Sequence, residues 1–594
     1  MSQLATGWLE SPREPGRCWR PAAEIPDFSG SGSEDLSQVV TTLMPRGCAL
    51  VLDVGLGAVP GHAIIGFIFA VECPESPTVT MAPWSHPILS CADAAAFEQR
   101  LFAGDEAREW AAMQRAGRAV AAATADDLEE VGGFPPAGRI LTLAGKGHNG
   151  GDALIATQAL LERFPAATAD VVLVFGERPL RPLAVRAWRE LAQVGRARIR
   201  RLSQRAAGGL AGGYDLCLDG VFGFHFRPPV PAGVAGILEQ VNGLSVRLRA
   251  AIDLPSGLPG TGASRGPVFR ADFTYATGSV KAPLIDGSNG HLVGRLRYLD
   301  LGFFPDGGGD ARWRVLTSRV LEPLRRLRNA ESDKRSHGHV FIIGGSRRFP
   351  GAGLMAVLSA LRSGAGLVTA FVPESLVPAF AARAPEAIWV GWPETPAGGL
   401  ALEGLILLRE RLDRVQALVI GPGLGCEPET LALVAEIVRT SPVPLLLDAD
   451  ALQPDIVRAG TAPRVLTPHL GELRRILQGE DLYRTSAGRE AIIVIKGRQT
   501  VVTVGGRRGA YSPFGGPVLA RGGSGDVLAG LMGTLLAQTP ADPLLAAARG
   551  VVWQGMAADA LARRFGQVAV QTTQLLDFLP EALRKVDSPG VRPG

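Results

Sequence analysis

Cysteine is scarce and scattered in this 594-residue chain. Cys18, Cys48, Cys73, Cys91, Cys217 and Cys426 are the full complement, with no CxxC pair and no zinc spacing among them. A cysteine-ligated zinc module is excluded, and a reduced, cytoplasmic setting is expected. Net charge is nearly absent as well: 61 basic against 57 acidic side chains leave +4. Bulk charge therefore gives no reason to expect a nucleic-acid partner, and the pairs Arg200-Arg201 and Arg325-Arg326 read as solvated helix faces. No apolar run is long and clean. The longest, from Ala49 to Val71, carries Asp53, Pro60 and His62, which a membrane-spanning helix would have to bury, so no membrane association is expected. The first residues also lack the basic-then-apolar order of an export signal.

Glycine (75) and proline (44) are plentiful, which suits many strand-to-helix loops. With 46% hydrophobic and 20% charged residues the composition is that of a soluble globular protein. The length is too great for one core and implies roughly three or four domains.

Residues 1–88 differ from the rest. They hold Trp8, Trp19 and Trp84 and the linker-like Ser29-Gly-Ser-Gly-Ser33, but no helix period of useful length and no chemical motif. They are read as an N-terminal extension of unknown fold. From about Pro87 strands and helices alternate. Ala107–Ala123 has the pattern of an amphipathic helix, and Arg139–Ala144, Val171–Phe175, Leu216–Asp219 and Leu248–Asp253 read as buried strands. Pro305-Asp-Gly-Gly-Gly-Asp310 reads as a linker within residues 305–315. A second block over 316–582 has strands at Val340–Ile343, Ala417–Ile420, Pro444–Leu447 and Ala491–Ile495, with helices at Gly353–Ser363 and Pro428–Arg439. Residues 583–594 form a tail. The class is α/β, with parallel sheets whose sites lie at the C-terminal ends of the strands.

Two glycine-rich turns carry the chemistry, Ala144-Gly-Lys-Gly-His-Asn-Gly-Gly-Asp152 and Arg521-Gly-Gly-Ser-Gly-Asp526. Each lies between an apolar run and a helical pattern and closes on an aspartate. Such a turn lets backbone N–H groups approach a phosphate at a helix N-terminus, and the aspartate can handle a proton or a cation. Taken alone, either could also be an ordinary tight turn.

The first turn has companions in order: Met113-Gln-Arg-Ala-Gly-Arg118 before it, then Asp219-Gly-Val-Phe-Gly223, Asp253-Leu-Pro-Ser-Gly257 and Val280-Lys281. Together these resemble the NAD(P)H-hydrate epimerase domain over residues 89–304, which implies a Rossmann-like, three-layer αβα fold. The resemblance implies that Asn149, Asp219 and Ser256 hold potassium. It also implies that His148, Asn149, Gly150, Gly151, Asp152 and Asp253 face the hydrated dinucleotide. Asn149, Asp219 and Ser256 are hard oxygen donors of the kind such a cation takes, and Asp219 is the candidate proton-handling carboxylate, its alternative being a turn cap. The chain departs from the family pattern at His148, Ala153 and Phe224-His225-Phe226. His148 is open to two readings, ligand contact or surface substitution.

The second turn closes another series: Gly344-Gly-Ser346, Gly351-Ala352, Gly421-Pro-Gly-Leu-Gly425, Leu447-Asp-Ala-Asp-Ala-Leu452, Thr467-Pro-His-Leu-Gly-Glu472 and Lys496-Gly-Arg-Gln-Thr500. The series resembles the ADP/ATP-dependent NAD(P)H-hydrate dehydratase domain, implying a ribokinase-like, three-layer αβα fold over 316–582. Amides at Gly523, Ser524 and Gly525 would stabilise a transferring phosphoryl group, and Asp526 would take the proton of the substrate hydroxyl and contact the substrate. The resemblance assigns the nucleotide to Lys496, Gly497, Arg498, Gln499 and Thr500, and the hydrated dinucleotide to Ala352, Gly423 and His469. Asp450 and Glu472 are either magnesium-side acids acting through water or structural groups. Gly516 and Arg521 depart from the pattern; Arg521 would add charge near the phosphates or crowd them.

These resemblances imply a bifunctional nicotinamide-nucleotide repair enzyme, an isomerase joined to a lyase. It would epimerise hydrated NADH or NADPH at C6 and dehydrate it at the expense of ADP or ATP, with K+ and Mg2+ as cofactors. It would be a cytoplasmic homo-oligomer with no nucleic-acid or membrane partner. The alternative is a ribokinase-like small-molecule kinase fused to a non-catalytic epimerase-like binding module.

Overall fold

The computed structural model describes residues 81, 84–194, 197–203, 210, 212–262, 264–477 and 491–586, and the backbone alone of 49–59 and 62–72. The serine–glycine segment 29–33, Cys18, Cys48, Cys73 and residues 587–594 lie outside these. The chain divides into two compact units, residues 1–80 and 81–594. In the first, the long apolar run is a strand pair: Ala49–Val59 and His62–Glu72 pair antiparallel, with Ala49 opposite Glu72 and Val59 opposite His62. Among the described residues no helix is long and apolar enough to cross a membrane.

The second unit holds two sheets. The first has seven strands, all parallel, in the spatial order Arg295–Leu299, Phe273–Thr277, Val246–Ile252, Tyr214–Gly220, Arg139–Ala144, Thr168–Leu173, Ile199–Leu202. The chain enters in the middle at Arg139–Ala144, winds outward to Ile199–Leu202, then crosses back to Tyr214–Gly220. The winding direction therefore reverses between two neighbouring strands, and a crevice opens at their C-terminal ends. Ala144 and Gly220 sit opposite each other there, so the first glycine turn and Asp219 meet at that point.

Helices cover both faces. Glu106–Leu128, His148–Arg163 and Pro182–Val194 bury Val120, Leu154 and Leu191 against one face, and Ala232–Gly243 buries Ile237 and Leu238 against the other. The first of these helices is longer than the pattern suggests. Asp105 caps it by accepting from the Ala107 and Arg108 N–H groups at 3.0 and 3.1 Å. It continues past Ala123 because Thr124, Ala125 and Leu128 are buried.

The second sheet has twelve strands in the order Val280–Lys281, Ser85–Leu89, Trp313–Leu316, Arg508–Tyr511, Val501–Val504, Ile492–Ile495, Arg464–Leu466, Leu445–Leu447, Ala417–Ile420, His339–Ile343, Leu367–Pro373, Ile388–Trp392. Helices such as Pro350–Arg362 and Ser524–Gln538 pack on one face, and Pro428–Thr440 on the other. Two of its strands cross the expected boundaries. Ser85–Leu89 passes residue 88, and Trp313–Leu316 begins inside 305–315. The two pair antiparallel. The buried Arg314 guanidinium fastens them by donating to Ser85 Oγ at 2.7 Å and Ser85 O at 2.5 Å.

A buried ionic network joins the two halves of this unit. Arg295 and Arg297, two apart on one strand and so on one face, donate to Asp559 at 2.9 and 2.8 Å. Arg297 also donates twice to Asp127, at 3.1 and 2.8 Å. Arg563 donates to the same carboxylate at 2.9 Å, and Arg295 to Glu130 at 2.6 Å. Asp127 closes the helix Glu106–Leu128, whereas Asp559 and Arg563 lie on Pro543–Phe565. Burial alone would raise the Asp127 carboxyl, but Arg297 and Arg563 overcome it and hold the group below the ordinary carboxylate range. Three cations and three anions balance, so no buried charge is left unpaired.

Removing one member leaves its partners charged in a dry site. Asp127→Ala is therefore expected to cost about 3–5 kcal/mol in urea unfolding. Arg200→Ala breaks a pair whose arginine is 63% exposed and is expected to cost less than about 1 kcal/mol. Equal midpoints for the two variants would contradict a network that bears on stability.

Candidate active sites

At the first crevice the strand Arg139–Ala144 runs into glycines that permit backbone contact. A Cβ on Gly145 would lie 2.0 Å from Val221 O, one on Gly150 2.1 Å from Gly145 O, and one on Gly151 2.5 Å from Met113 Sδ. His148, Asn149, Gly150, Gly151 and Asp152 form the first turn of the helix His148–Arg163, whose leading N–H groups have no partner within the helix.

A chain of hydrogen bonds ties three loops together. Asn149 Nδ2 donates to Phe222 O at 2.9 Å, the Phe222 N–H donates to Ser256 Oγ at 2.8 Å, and Ser256 Oγ donates to Asp219 Oδ1 at 2.6 Å. Asp219 also accepts from the Ser256 N–H at 2.8 Å and the Val221 N–H at 3.2 Å. Asn149, Asp219 and Ser256 are thus brought together, and Asn149 Oδ1 is buried with no partner. Asp219 is fully buried behind Val221 and Phe222, which form part of the cleft wall. Burial pushes its carboxyl up to about 6, against the pull of the Ser256 and Val221 hydrogen bonds.

The cleft has a volume of about 730 Å³, within the size range of small-molecule sites. Asp253 lines it in a left-handed backbone conformation, φ 66°, that is costly for a residue other than glycine and is a mark of functional sites. Its Oδ2 accepts from the Phe224 N–H at 3.1 Å, and its Oδ1 forms an ion pair with Lys281. Lys281 is only 1% exposed, donates to Ser279 O at 3.0 Å and lies 5.0 Å from the Phe224 ring centroid. Asp152 carries its carboxyl well above the usual range because of burial and the nearby Asp253 and Glu98. His148 lines the cleft half-exposed, 3.6 Å from Glu109, and burial lowers its pKa. Ala153 is buried at the place where a Cβ on Gly220 would lie 2.6 Å from its methyl.

The second site forms at the ends of central strands of the twelve-stranded sheet. Gly423 takes φ 69°, and a Cβ there would lie 2.9 Å from the Ala352 Cβ and 2.5 Å from Phe349 O. Ala352 and Gly423 are therefore neighbours. Gly523, φ 90°, caps the helix Ser524–Gln538, so Ser524, Gly525 and Asp526 are its first turn. A Cβ on Gly525 would lie 3.3 Å from Lys496 Nζ. Lys496 donates to Asp448 Oδ1 at 2.8 Å, and Thr467 Oγ1 donates to the same oxygen at 2.6 Å. Burial pulls the Lys496 ammonium down, but Asp448, Glu472 and Asp526 raise it above its ordinary value. Burial and Asp448 push Asp526 up to about 6, with Lys496 acting the other way.

Other residues of the second series are engaged structurally. His469 Nδ1 accepts from the Gly471 and Glu472 N–H groups at 2.9 and 3.2 Å, and Glu472 accepts from the His469 N–H at 2.8 Å. That is a reciprocal helix cap, and it leaves the mostly exposed His469 ring with its other nitrogen protonated. Asp450 accepts from the Gly425 N–H at 2.9 Å. Arg498 turns away from Lys496 and donates to Gly294 O at 2.7 Å and Gly290 O at 3.4 Å. Gln499 Nε2 is buried without a partner, a Cβ on the exposed Gly497 would meet only Gln499 O, at 3.8 Å, and Thr500 O accepts from the Ser512 N–H at 2.9 Å. Arg521 donates to Val568 O at 2.7 Å and Gln567 O at 2.5 Å, so its charge is spent on a neighbouring loop. Gly516 is small for a reason: a Cβ there would lie 2.5 Å from Arg295 Cζ.

Three residues emerge only in the structure. Asp448, not Asp450, pairs with Lys496; two aspartates in one short motif gave no ground for choosing between them. Lys281 closes a motif in the sequence, but its pairing with Asp253 spans a crossover. Glu98 lines the first cleft from a helix with no motif.

Comparison with known proteins follows the same division. A model described as NAD(P)H-hydrate dehydratase matches residues 340–581, and one described as YjeF-related protein N-terminus matches 110–282. The bifunctional NAD(P)H-hydrate repair enzyme of Moorella thermoacetica is 36% identical over 76% of this chain and 88% of its own. That of Gloeobacter violaceus is 37% identical over 83% and 97%. Among solved structures, the ADP/ATP-dependent NAD(P)H-hydrate dehydratase from Bacillus subtilis, co-crystallised with ATP and Mg2+, is 28% identical. It covers 46% of this chain and 98% of its own, with a TM-score of 0.38.

The packing at the first turn makes Gly150→Ala a test of backbone contact. It is expected to destabilise by about 1–3 kcal/mol through overpacking and to disturb the first turn of the helix. Gly236→Ala, in an exposed helix with nothing within 4 Å, is expected to stabilise by about 0.5–1 kcal/mol. Thermal melts of the two variants should move in opposite directions.

Proposed function

The chain belongs to the family of bifunctional NAD(P)H-hydrate repair enzymes, and we propose from that premise how its two sites share the work. The protein epimerises hydrated NADH and NADPH and dehydrates them to the intact nucleotides, with ADP or ATP as phosphoryl donor. We place the epimerase in residues 89–304 and the dehydratase in 316–582. The observation that carries this reading is that one chain builds both sites: a cleft walled by Asn149, Asp152, Asp253 and Lys281, and a helix N-terminus where Asp526 stands close to Lys496 and Asp448.

In the dehydratase, the C6 hydroxyl attacks the terminal phosphoryl group and gives its proton to Asp526, while the bond to the leaving nucleotide breaks. The amides of Ser524 and Gly525 and the Lys496 ammonium face the charge that develops. Phosphate then leaves C6 with the bonding pair, and loss of a C5 proton restores the ring double bond. Ala352 and Gly423, packed together, offer a wall to the dinucleotide, and the exposed His469 ring, set beside Lys496 by a strand bridge, contacts it as the family resemblance implies. Magnesium would supply charge neutralisation at the nucleotide phosphates. Because Asp450 and Glu472 are each engaged in a backbone hydrogen bond, phosphate and water oxygens would be its principal ligands.

In the epimerase, Gly150 and Gly151 open the helix end to the dinucleotide phosphates. The unpartnered Asn149 Oδ1, the Asp219 carboxylate and the Ser256 hydroxyl fit a large monovalent cation such as potassium. One carboxylate with neutral oxygens suits it better than magnesium. An ion there would supply a fixed positive charge beside the ring. A proton-handling role for Asp219 requires access past Val221 and Phe222. The free thiols of Cys91, Cys217 and Cys426 fit a cytoplasmic setting.

Asp526→Asn should abolish nucleotide-dependent recovery of nicotinamide absorbance while the two hydrate epimers still interconvert; loss of both activities in a folded variant would contradict two separate sites. The dehydratase rate should rise with pH through about 6, because Asp526 must be ionised to accept the proton. Asp448→Asn should move that rise to lower pH, since Asp448 is what raises Asp526 after burial. Asp219→Asn retains an oxygen ligand but cannot accept a proton. It should keep potassium binding; loss of epimerase activity would give Asp219 a part in proton transfer despite its burial, and full retention would leave it a ligand or structural group.

A further inference from the structure

The epimerase cleft is electrically divided. Lys146, Arg181 and Arg227 line it together with the N-terminal turn at Gly147 and His148, whereas Glu98, Asp152 and Asp253 line it around Lys281. A pyrophosphate carries its charge to the first group, by attraction and by the helix end. The hydrated nicotinamide ring is uncharged and is left to the second. There the reaction needs an acid. The two epimers differ only at C6, whose hydroxyl sits on a carbon bonded to the ring nitrogen. Inverting it through water loss requires that hydroxyl to leave as water, and a proton must reach it first.

Of the other carboxyls that line the cleft, Asp253 is spent on Lys281 and the Phe224 N–H, Glu109 stands 3.6 Å from His148, and Asp152 is buried; Asp219 lies behind the wall. Glu98 is different. It projects from the helix Cys91–Phe102, and no hydrogen bond or ion pair engages its carboxyl among the described residues. It also lines a side pocket of about 60 Å³ that opens beside it between Asp152, Thr277 and Phe303, room for a few water molecules.

Resting on the epimerase reading above, we propose that Glu98 is the general acid of the epimerisation. Its carboxyl proton passes to the C6 hydroxyl, and the C6–O bond breaks with its electron pair leaving on water. The ring-nitrogen lone pair forms a C=N bond in its place, giving an iminium. Water then adds to either face of C6, the C=N pair returns to nitrogen, and the proton lost by that water goes back to Glu98. Atoms and charge balance, and no oxidant or co-reactant is consumed. Burial, opposed by Lys281 and helped by Asp253 and Glu109, holds the Glu98 carboxyl up at about 7, and burial likewise raises the neighbouring Asp152 well above the usual carboxylate range. Glu98 is thus a proton donor at neutral pH.

The test is to separate the epimers chromatographically and follow their interconversion by the full-length protein. Glu98→Gln should lower epimerase kcat by about 100-fold or more with KM changed by less than about threefold, and should remove the fall in wild-type kcat above about pH 7. Glu98→Asp should recover part of the rate. Dehydratase activity of the same preparations reports folding and should be unchanged. A Glu98→Gln variant within threefold of the wild-type kcat, or one that keeps the alkaline fall, would overturn the assignment. So would a rise in KM alone, which would make Glu98 a binding group. Wild-type protein that does not speed epimer interconversion would instead remove the epimerase reading on which the assignment rests.

Discussion

The Arg297 guanidinium sits where the two halves of the second unit meet. It reaches Asp127 on one side and Asp559 on the other. The strand that carries it is the last of the seven-stranded sheet, so the network it centres is the point where the two halves meet. A dry arginine–carboxylate lattice costs desolvation that its mutual attractions must offset, and it tolerates little displacement. The charge geometry thus adds a fixed point of contact to the strand pairing that also joins the two halves.

That fixed position matters for both sites. Gly516 has no side chain because Arg295 occupies the space, and Gly515 donates its N–H to Asp559 at 3.1 Å. The segment leading to the Asp526 turn is therefore shaped by the first half. Arg498, two residues beyond the phosphate-side Lys496, grips the carbonyls of Gly290 and Gly294 in the stretch that follows Lys281. Each site borrows part of its frame from the other half.

Much of the plan was legible in the chain, and for a physical reason. Parallel strands buried on both faces are short apolar runs, and the loops that follow them carry the chemistry, so the motifs and their order were visible as strand ends. Asn149, Asp219 and Ser256 could be grouped because each lies at or beyond the C-terminal end of a strand in the same sheet. What could not be read were pairings across the crossovers. Asp448 and Asp450 differ only in which one meets Lys496, and Lys281, on a strand of the twelve-stranded sheet, meets Asp253 at the end of a strand of the seven-stranded one. Arg498 read as a phosphate-side charge, and Arg521 as either such a charge or an obstruction, because local sequence gives a residue's neighbourhood and not the direction of a long side chain. Glu98 lies in a helix without a motif, and only folding brings it to the cleft.

The strand Trp313–Leu316 begins inside the stretch expected to be a linker, and this constrains how the enzyme could be taken apart. Its neighbours are Ser85–Leu89 from the start of the first half and Arg508–Tyr511 from the second. A chain severed just after it would strip Arg508–Tyr511 of one of its two partners, leaving only Val501–Val504, and expose a row of bare N–H and C=O groups on one edge, a template for pairing with other molecules. The two activities are thus sewn along a common hem, and a freestanding dehydratase would need a different strand, or charge and proline, to finish that border.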